Sequence, residues 1–122
     1  MSIQDQVAAA RASVPDVSRA EAERLIADGA TVIDVREASE LTQGKVRGAV
    51  HVPRGLLEFQ ADPASPMHDE ALDPSKTVLV YCAAGGRAAL AGKALQDLGY
   101  TDVRNLGGFG DWAASGGDVE QV

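Results

Sequence analysis

The sequence predicts a single α/β domain in which helices flank both faces of a mostly parallel central sheet. The chain has 122 residues, a length typical of one domain. Short runs rich in β-branched residues alternate with segments whose apolar residues recur at helical spacing, a pattern typical of βα units. One of these runs, Thr77 to Tyr81, is apolar without alternation, as expected for a strand that is covered on both faces.

Composition restricts the partners that this chain can have. Eighteen acidic residues outnumber eleven Lys and Arg, which gives a net charge of −7. Because an acidic surface repels polyphosphates, we expect neither nucleic-acid binding nor attachment to anionic membranes. The first ten residues lack the basic and apolar regions of a secretory signal, and no apolar run reaches the about 18 residues of a membrane span. We therefore expect a cytoplasmic protein.

The N-terminal part of the chain contains two predicted helices. Residues 1–16 form an N-terminal extension, in which Ile3, Val7 and Val14 at helical spacing predict a peripheral helix. Residues 17–118 form the domain, and residues 119–122 form a tail. Ser18 and Glu21 have the spacing of a capping box, which predicts a helix from about Arg19 to Asp28 that Gly29 ends.

The middle of the chain predicts two strands, joined and followed by short helical segments. The β-branched runs at residues 31–35 and 49–52 are typical strands. Between them lies a possible helical turn near residues 39–41, and after Pro53 the run 56–59 indicates another short helix. The proline-rich stretch 62–74 is predicted to be a surface loop.

The C-terminal half predicts the centre of the sheet and the helices around it. After the central strand at 77–81, apolar residues at helical spacing predict a helix over 87–98, which Gly99 ends. A short strand over 102–104 and a last helix from about Phe109 complete the domain. The glycine-rich segment 107–110 lacks the features of a phosphate-binding loop, so we interpret it as a turn.

The only cysteine follows directly after the predicted central strand. Because ligands of parallel sheets bind beyond the carboxyl ends of the strands, Cys82 is the candidate catalytic residue. A small-residue loop and a helix come next, so backbone amides can form an anion cradle around the sulfur. The predicted cradle consists of Ala83, Ala84, Gly85, Gly86 and Arg87. A single cysteine rules out an internal disulfide or a multi-thiolate zinc site within these residues, and we expect no metal site.

Several short motifs resemble the rhodanese family. Cys82, Gly85 and Arg87 match the Cys-x-x-Gly-x-Arg loop of its single-domain members. Three further segments resemble family motifs in the family's order: residues 33–37 with Asp-Val-Arg, 48–53 with Gly-Ala-x-x-x-Pro, and 105–112 with the closing Gly-Gly-x-x-x-Trp. Together the motifs span most of residues 17–115 and predict a rhodanese-like fold.

This resemblance implies sulfur transfer through a persulfide on Cys82. The donor would be thiosulfate or a similar small molecule, the acceptor would be cyanide or a thiol, and no metal or organic cofactor would be needed. Arg87 would be the cation that binds the donor or the persulfide. The related cysteine phosphatases have five residues between cysteine and arginine, whereas four separate Cys82 from Arg87, and the next residue is Ala88. The sequence therefore disfavours a phosphatase.

Two alternatives and one pair of residues stay open. The chain could be a persulfide carrier between a protein donor and a protein acceptor, or a non-catalytic module that uses this fold for binding. Ala88 stands where many family members have Ser or Thr, and Arg87 is the only cation of the loop. For these two reasons, sulfur donors other than thiosulfate stay open. Asp34 and Arg36, at the end of an early strand, are possible supporting residues of the site, although a structural ion pair is the favoured interpretation.

Overall fold

The computed structural model describes all residues of the chain, Met1–Val122. Its helices and strands, in chain order, are α1 (Ile3–Ser13), α2 (Arg19–Ala27), β1 (Thr31–Asp34), β2 (Lys45–Val46), β3 (Val50–His51), α3 (Leu57–Ala61), β4 (Val78–Cys82), α4 (Gly86–Asp97), β5 (Val103–Gly108), α5 (Phe109–Ala114) and β6 (Val119–Glu120). Two 3₁₀ helices, Ala38–Gln43 and Arg54–Leu56, lie in the connections. The first covers the turn predicted near residues 39–41, and the second leads into α3, which covers most of the short helix predicted at 56–59.

The central sheet is entirely parallel and has the strand order β3-β1-β4-β5. β4 pairs with β1 on one side and with β5 on the other, and all five of its residues are buried. The central position of this apolar strand is therefore confirmed. No helix is long and apolar enough to cross a membrane.

Two hydrophobic clusters cover the two faces of the sheet, which confirms the predicted architecture. Side chains alternate along β4, so that Val78, Val80 and Cys82 belong to one cluster whereas Leu79 and Tyr81 belong to the other. The first cluster includes apolar residues of α3 and α4, and the second includes residues of α2 and α5. Cys82 therefore lies on the face that α4 covers.

The N-terminal cap of α2 contains half of the predicted capping box. The Ser18 hydroxyl accepts a hydrogen bond from the Glu21 amide at 3.2 Å, as predicted. The reciprocal bond is absent, because the Glu21 carboxylate instead accepts a hydrogen bond from Arg104 Nη1 at 2.7 Å. Glu21 thus links α2 to β5.

Helix α1 is packed against the domain by its C-terminal end. Val14 is fully buried, and it lies so close to Gly92 of α4 that a methyl group there would approach Val14 Cγ1 to 2.7 Å. The carbonyl of Pro15 accepts a hydrogen bond from the Asn105 amide at 2.8 Å. The helix forms where the spacing predicts it. The residues at its C-terminal end contribute more to the core than we expect from a peripheral helix.

Two features of the C-terminal region differ from the sequence prediction. Val119 and Glu120, expected in a tail, pair antiparallel with β2 in a separate two-stranded sheet. β5 continues beyond Arg104 to Gly108, because a register shift opposite Val80 and Tyr81 lets the glycine segment keep pairing with β4. Gly107 takes φ +94° at this irregularity, a conformation that glycine adopts at little cost.

Candidate active site

Cys82 ends the central strand and begins the loop that leads into α4. Its thiol is free, and the residue is only 1% exposed. The loop comprises residues 83–85, and α4 begins at Gly86. The structure therefore places the predicted nucleophile at the carboxyl edge of the sheet, next to the positive end of a helix dipole.

Two backbone amides point at the sulfur. The Gly85 amide donates a hydrogen bond to Cys82 Sγ at 2.9 Å, and the Ala88 amide donates a longer one at 3.4 Å. Gly85 has φ +102°, which turns the chain from the loop into the helix. Amides at a helix N-terminus form a common binding site for anions.

The hydrogen bonds to the sulfur involve one residue of the predicted cradle and one residue outside it. Of its five residues, Gly85 alone donates a hydrogen bond to Sγ, whereas Ala83, Ala84, Gly86 and Arg87 do not. Ala88, in the first turn of α4, was missed as a donor. The sequence could have indicated this donor, because Ala88 lies in the first turn of the predicted helix. Amides of a first turn have no hydrogen-bond partner within the helix.

Asn105 supports the loop from β5. Its buried side chain donates a hydrogen bond from Nδ2 to the Gly85 carbonyl at 3.2 Å and accepts one at Oδ1 from the Gly107 amide at 2.8 Å. Gly108 passes so close to the loop that a methyl group there would lie 2.5 Å from the Ala83 carbonyl oxygen. The loop conformation is thus fixed by its contact with the end of β5.

The side chain of Arg87 forms an ion pair with Glu40. Arg87 Nη1 and Nη2 donate to the two carboxylate oxygens of Glu40 at 2.7 and 3.0 Å. These hydrogen bonds lower the pKa of Glu40 to about 2, and they raise the pKa of Arg87. Sequence analysis missed Glu40, because it lies in a polar connection 47 residues away and no local pattern links it to the loop.

Asp34 and Arg36 form a buried ion pair at the carboxyl end of β1. Arg36 Nη2 lies 2.8 Å from Asp34 Oδ2, and the Tyr81 hydroxyl donates to the same oxygen at 2.7 Å. Burial opposes ionisation of Asp34, but the hydrogen bonds from Arg36 and Tyr81 outweigh it and lower the pKa of this carboxyl. The arginine also donates to the Gly44 carbonyl at 2.8 Å and lies with Cζ 4.5 Å from the ring centroid of Phe109.

A cleft of about 380 Å³ lies beside the loop. It is lined by Arg36, Glu40, Gln43, Ala83, Phe109 and Gly110. Ala83 directly follows Cys82, so this cleft gives a small molecule access to the loop. Both arginines of this region face a carboxylate, since Arg36 pairs with Asp34 and Arg87 pairs with Glu40. No group of three or more His, Cys, Asp or Glu side chains is arranged to hold a metal ion.

The chain is thus an α/β protein whose parallel sheet places one thiol next to amides at a helix N-terminus, and this thiol is the candidate nucleophile. The family model for the rhodanese-like domain matches residues 18–115, and the chain belongs to this family. The resemblance stated from the sequence motifs is therefore confirmed.

Two curated relatives illustrate the similarity in sequence. The chain is 37% identical over 81 residues to thiosulfate sulfurtransferase PspE of Escherichia coli (strain K12), a match that covers 66% of this chain and 72% of the relative. It is 32% identical over 109 residues to the thiosulfate:glutathione sulfurtransferase of Homo sapiens, covering 83% of this chain and 95% of the relative.

Two solved structures illustrate the similarity in fold. The human single-domain sulfurtransferase TSTD1 superposes with a TM-score of 0.71 at 30% identity, over 83% of this chain and 96% of its own. A Rhodopseudomonas palustris protein of unknown function, described as a possible tyrosine phosphatase, superposes with a TM-score of 0.89 at 35% identity. That match covers 98% of this chain and 95% of the other, and so includes most of the region outside residues 18–115.

Proposed function

We propose that this protein is a thiosulfate sulfurtransferase-like enzyme that moves a sulfane sulfur from thiosulfate or a similar donor to cyanide or a thiol. The observation that carries the proposal is the position of Cys82 Sγ, which accepts hydrogen bonds from two amides at the start of α4. The chain is similar to relatives named thiosulfate sulfurtransferase and thiosulfate:glutathione sulfurtransferase.

The reaction has two steps, each a displacement at sulfur. In the first, the Cys82 thiolate attacks the outer sulfur of thiosulfate, a new S–S bond forms to Sγ, and sulfite leaves with the electron pair of the broken bond. In the second, a thiolate or cyanide attacks the outer sulfur of the persulfide, and Sγ leaves as a thiolate. Atoms and charge balance in each step, and no further oxidant or reductant takes part.

The amides act at the stages in which Sγ carries negative charge. Before the first step and after the second, Sγ is a thiolate, and the Gly85 and Ala88 amides stabilise it. Because Cys82 is almost fully buried, donor and acceptor must reach the sulfur through the surface around the loop, of which the cleft at Ala83 is one part. The roles assigned to the remaining cradle residues, and to Arg87 as a donor-binding cation, stay proposals.

A persulfide carrier that exchanges sulfur with proteins is the second candidate. Two observations favour it. Arg36, which lines the cleft, and Arg87, which follows the loop, are both paired with carboxylates, an arrangement that binds a small dianion poorly. The chain is also 27% identical to a putative sulfur carrier protein, YrkF of Bacillus subtilis, over 82% of this chain and 51% of that protein. Three points stay predictions: the small-molecule or protein partners, the domain limits 17–118 and a cytoplasmic location.

The decisive experiment is the intact mass of reductant-free protein after incubation with thiosulfate. We expect a gain of one sulfur atom in the wild type, its loss on addition of cyanide, and no gain in the Cys82→Ser variant. No gain in a wild-type protein whose Cys82 can still be alkylated would contradict thiosulfate as donor and would favour the carrier. Failure of persulfide formation with every donor, small or protein, would favour a non-catalytic binding module.

A further inference from the structure

Arg11 of helix α1 reaches the catalytic loop from outside the region that the family model matches, residues 18–115. Its guanidinium lies against Gly85, where a methyl group would approach Arg11 Nη2 to 3.1 Å and Nη1 to 3.7 Å. Gly85 is the residue whose amide donates to Cys82 Sγ. A cation from the N-terminal extension therefore contacts the residue whose amide is hydrogen-bonded to the thiol sulfur.

The guanidinium of Arg11 differs from the other two near the site in having free donors. Arg36 and Arg87 both make close hydrogen bonds to carboxylates. Arg11 makes no side-chain hydrogen bond to the protein, and its nearest carboxylate oxygen, Oδ1 of Asp16, lies 4.0 Å away. The Arg11 side chain is 42% exposed, so its donors are available to a ligand.

The backbone that follows Arg11 is held against the domain. The Ser13 carbonyl accepts a hydrogen bond from Gln96 Nε2 of α4 at 2.8 Å, and Val14 fills the space over Gly92. These contacts fix the end of α1 against the helix whose N-terminus holds the thiol. Arg11 is thus positioned to contact an anion at the loop without a change in fold.

We propose that Arg11 is an anion-binding residue of this site, which attracts the oxyanion group of the sulfur donor. The proposal rests on the proposed function and deepens it, since it assigns the donor to the class of small anions with several terminal oxygens, such as thiosulfate. A guanidinium binds such groups through two parallel hydrogen bonds. Arg11 would also offset the charge that accumulates when a dianion approaches the Cys82 thiolate.

The test compares Arg11→Gln with Arg24→Gln, a control with the same change in net charge. Arg24 is exposed on α2 and belongs to none of the ion pairs of the structure. We expect Arg11→Gln to lower kcat/KM for thiosulfate about tenfold, the factor that corresponds to one charge-assisted hydrogen bond. The Arg24→Gln variant should match the wild type.

A second readout separates charge from structure and does not depend on sulfur transfer. Iodoacetate and iodoacetamide alkylate the same thiol, but only iodoacetate is an anion. We expect Arg11→Gln to lower the ratio of the iodoacetate rate to the iodoacetamide rate, and Arg11→Lys to restore most of it. A displaced loop would change both rates together and leave the ratio unchanged.

The outcomes for Arg11 and for the proposed function can be told apart. A rate ratio in Arg11→Gln equal to that of the wild type would overturn the role of Arg11, whatever the turnover. If the wild type takes no sulfur from any donor, the proposed function fails, whereas a lowered ratio would still support an anion site at Arg11.

Discussion

Glu40 and Arg87 face each other beside the catalytic loop through two hydrogen bonds of 2.7 and 3.0 Å. The pair joins the 3₁₀ helix at 38–43 to the start of α4. We expect the pair to have two opposing effects on an anionic donor, because it holds the start of α4 in place and it neutralises Arg87.

Replacing Glu40 with Gln should improve the use of a dianionic donor. The substitution removes a carboxylate that lines the cleft while keeping an oxygen that can accept a hydrogen bond from Arg87. We expect kcat/KM for thiosulfate to rise about two- to fivefold, the range of a partly exposed charge interaction. Glu70→Gln, at an exposed position in the proline-rich loop, is the matched control. A fall in kcat/KM would instead show that holding Arg87 is the main effect of Glu40.

The same pair should contribute to stability in acid. The pKa of Glu40 is about 2 in the folded protein and about 4.5 without its partner. Above pH 4.5 the carboxylate is ionised in both states, and the stabilisation is fully present. As the pH falls from 4.5 towards 2, the unfolded chain takes up the proton first, and the stabilisation is lost. Urea unfolding between these pH values should therefore show a steeper loss of stability in the wild type than in Glu40→Gln; equal slopes would contradict this.

Removing the buried carboxylate of Asp34 should destabilise the fold strongly. Asp34→Ala leaves the guanidinium of Arg36 buried without its counter-charge, for which the expected loss is about 3–5 kcal/mol in the free energy of unfolding. The exposed pair of Lys93 and Asp97 provides the control, since Asp97→Ala should cost at most about 1 kcal/mol. Denaturant unfolding measures both, and similar losses in the two variants would argue against the importance of burial.

Adding a methyl group at Gly108 should displace the catalytic loop. The added Cβ would lie 2.5 Å from the Ala83 carbonyl oxygen and 3.1 Å from Ala84 Cα, so the backbone must move. A misplacement of about 1 Å near a reacting group can lower activity about a hundredfold. We expect a loss of that order in sulfur transfer by Gly108→Ala, with a folded circular dichroism spectrum. Gly55→Ala, which meets no atom within 4 Å, should retain activity. Wild-type turnover in Gly108→Ala would show that the loop tolerates the shift.

Most of the fold could be predicted because the larger elements carry strong local signals. The uninterrupted apolar run before Cys82 identified the central strand, and Gly29 and Gly99 marked helix ends correctly. The two-residue strands β2 and β6 could not be found, since neither lies in a β-branched run like the one that contains β3. The extension of β5 was also missed, because Gly107 and Gly108 are typical turn residues and their pairing depends on the register of β4.

The site was predictable where it is local in sequence and not where it depends on tertiary contacts. The position of Cys82 and the Gly85 amide follows from one strand, one loop and one helix. Glu40, Asn105 and Arg11 come from three other segments and meet the loop through the fold. The buried pairing of Asp34 and Arg36 agrees with the favoured structural interpretation, while the contact of Arg36 with the cleft leaves room for a supporting role.

Cys82 is the only sulfhydryl among these residues, and it is almost completely enclosed. Many redox-active proteins repair an oxidised cysteine with a second, resolving cysteine of the same chain. Here a sulfenic acid at Cys82 would have no such neighbour, and its recovery would depend on a thiol that enters from solution. Because the sulfur is enclosed, the oxidant and the repairing thiol would both have to enter through the surface around the loop.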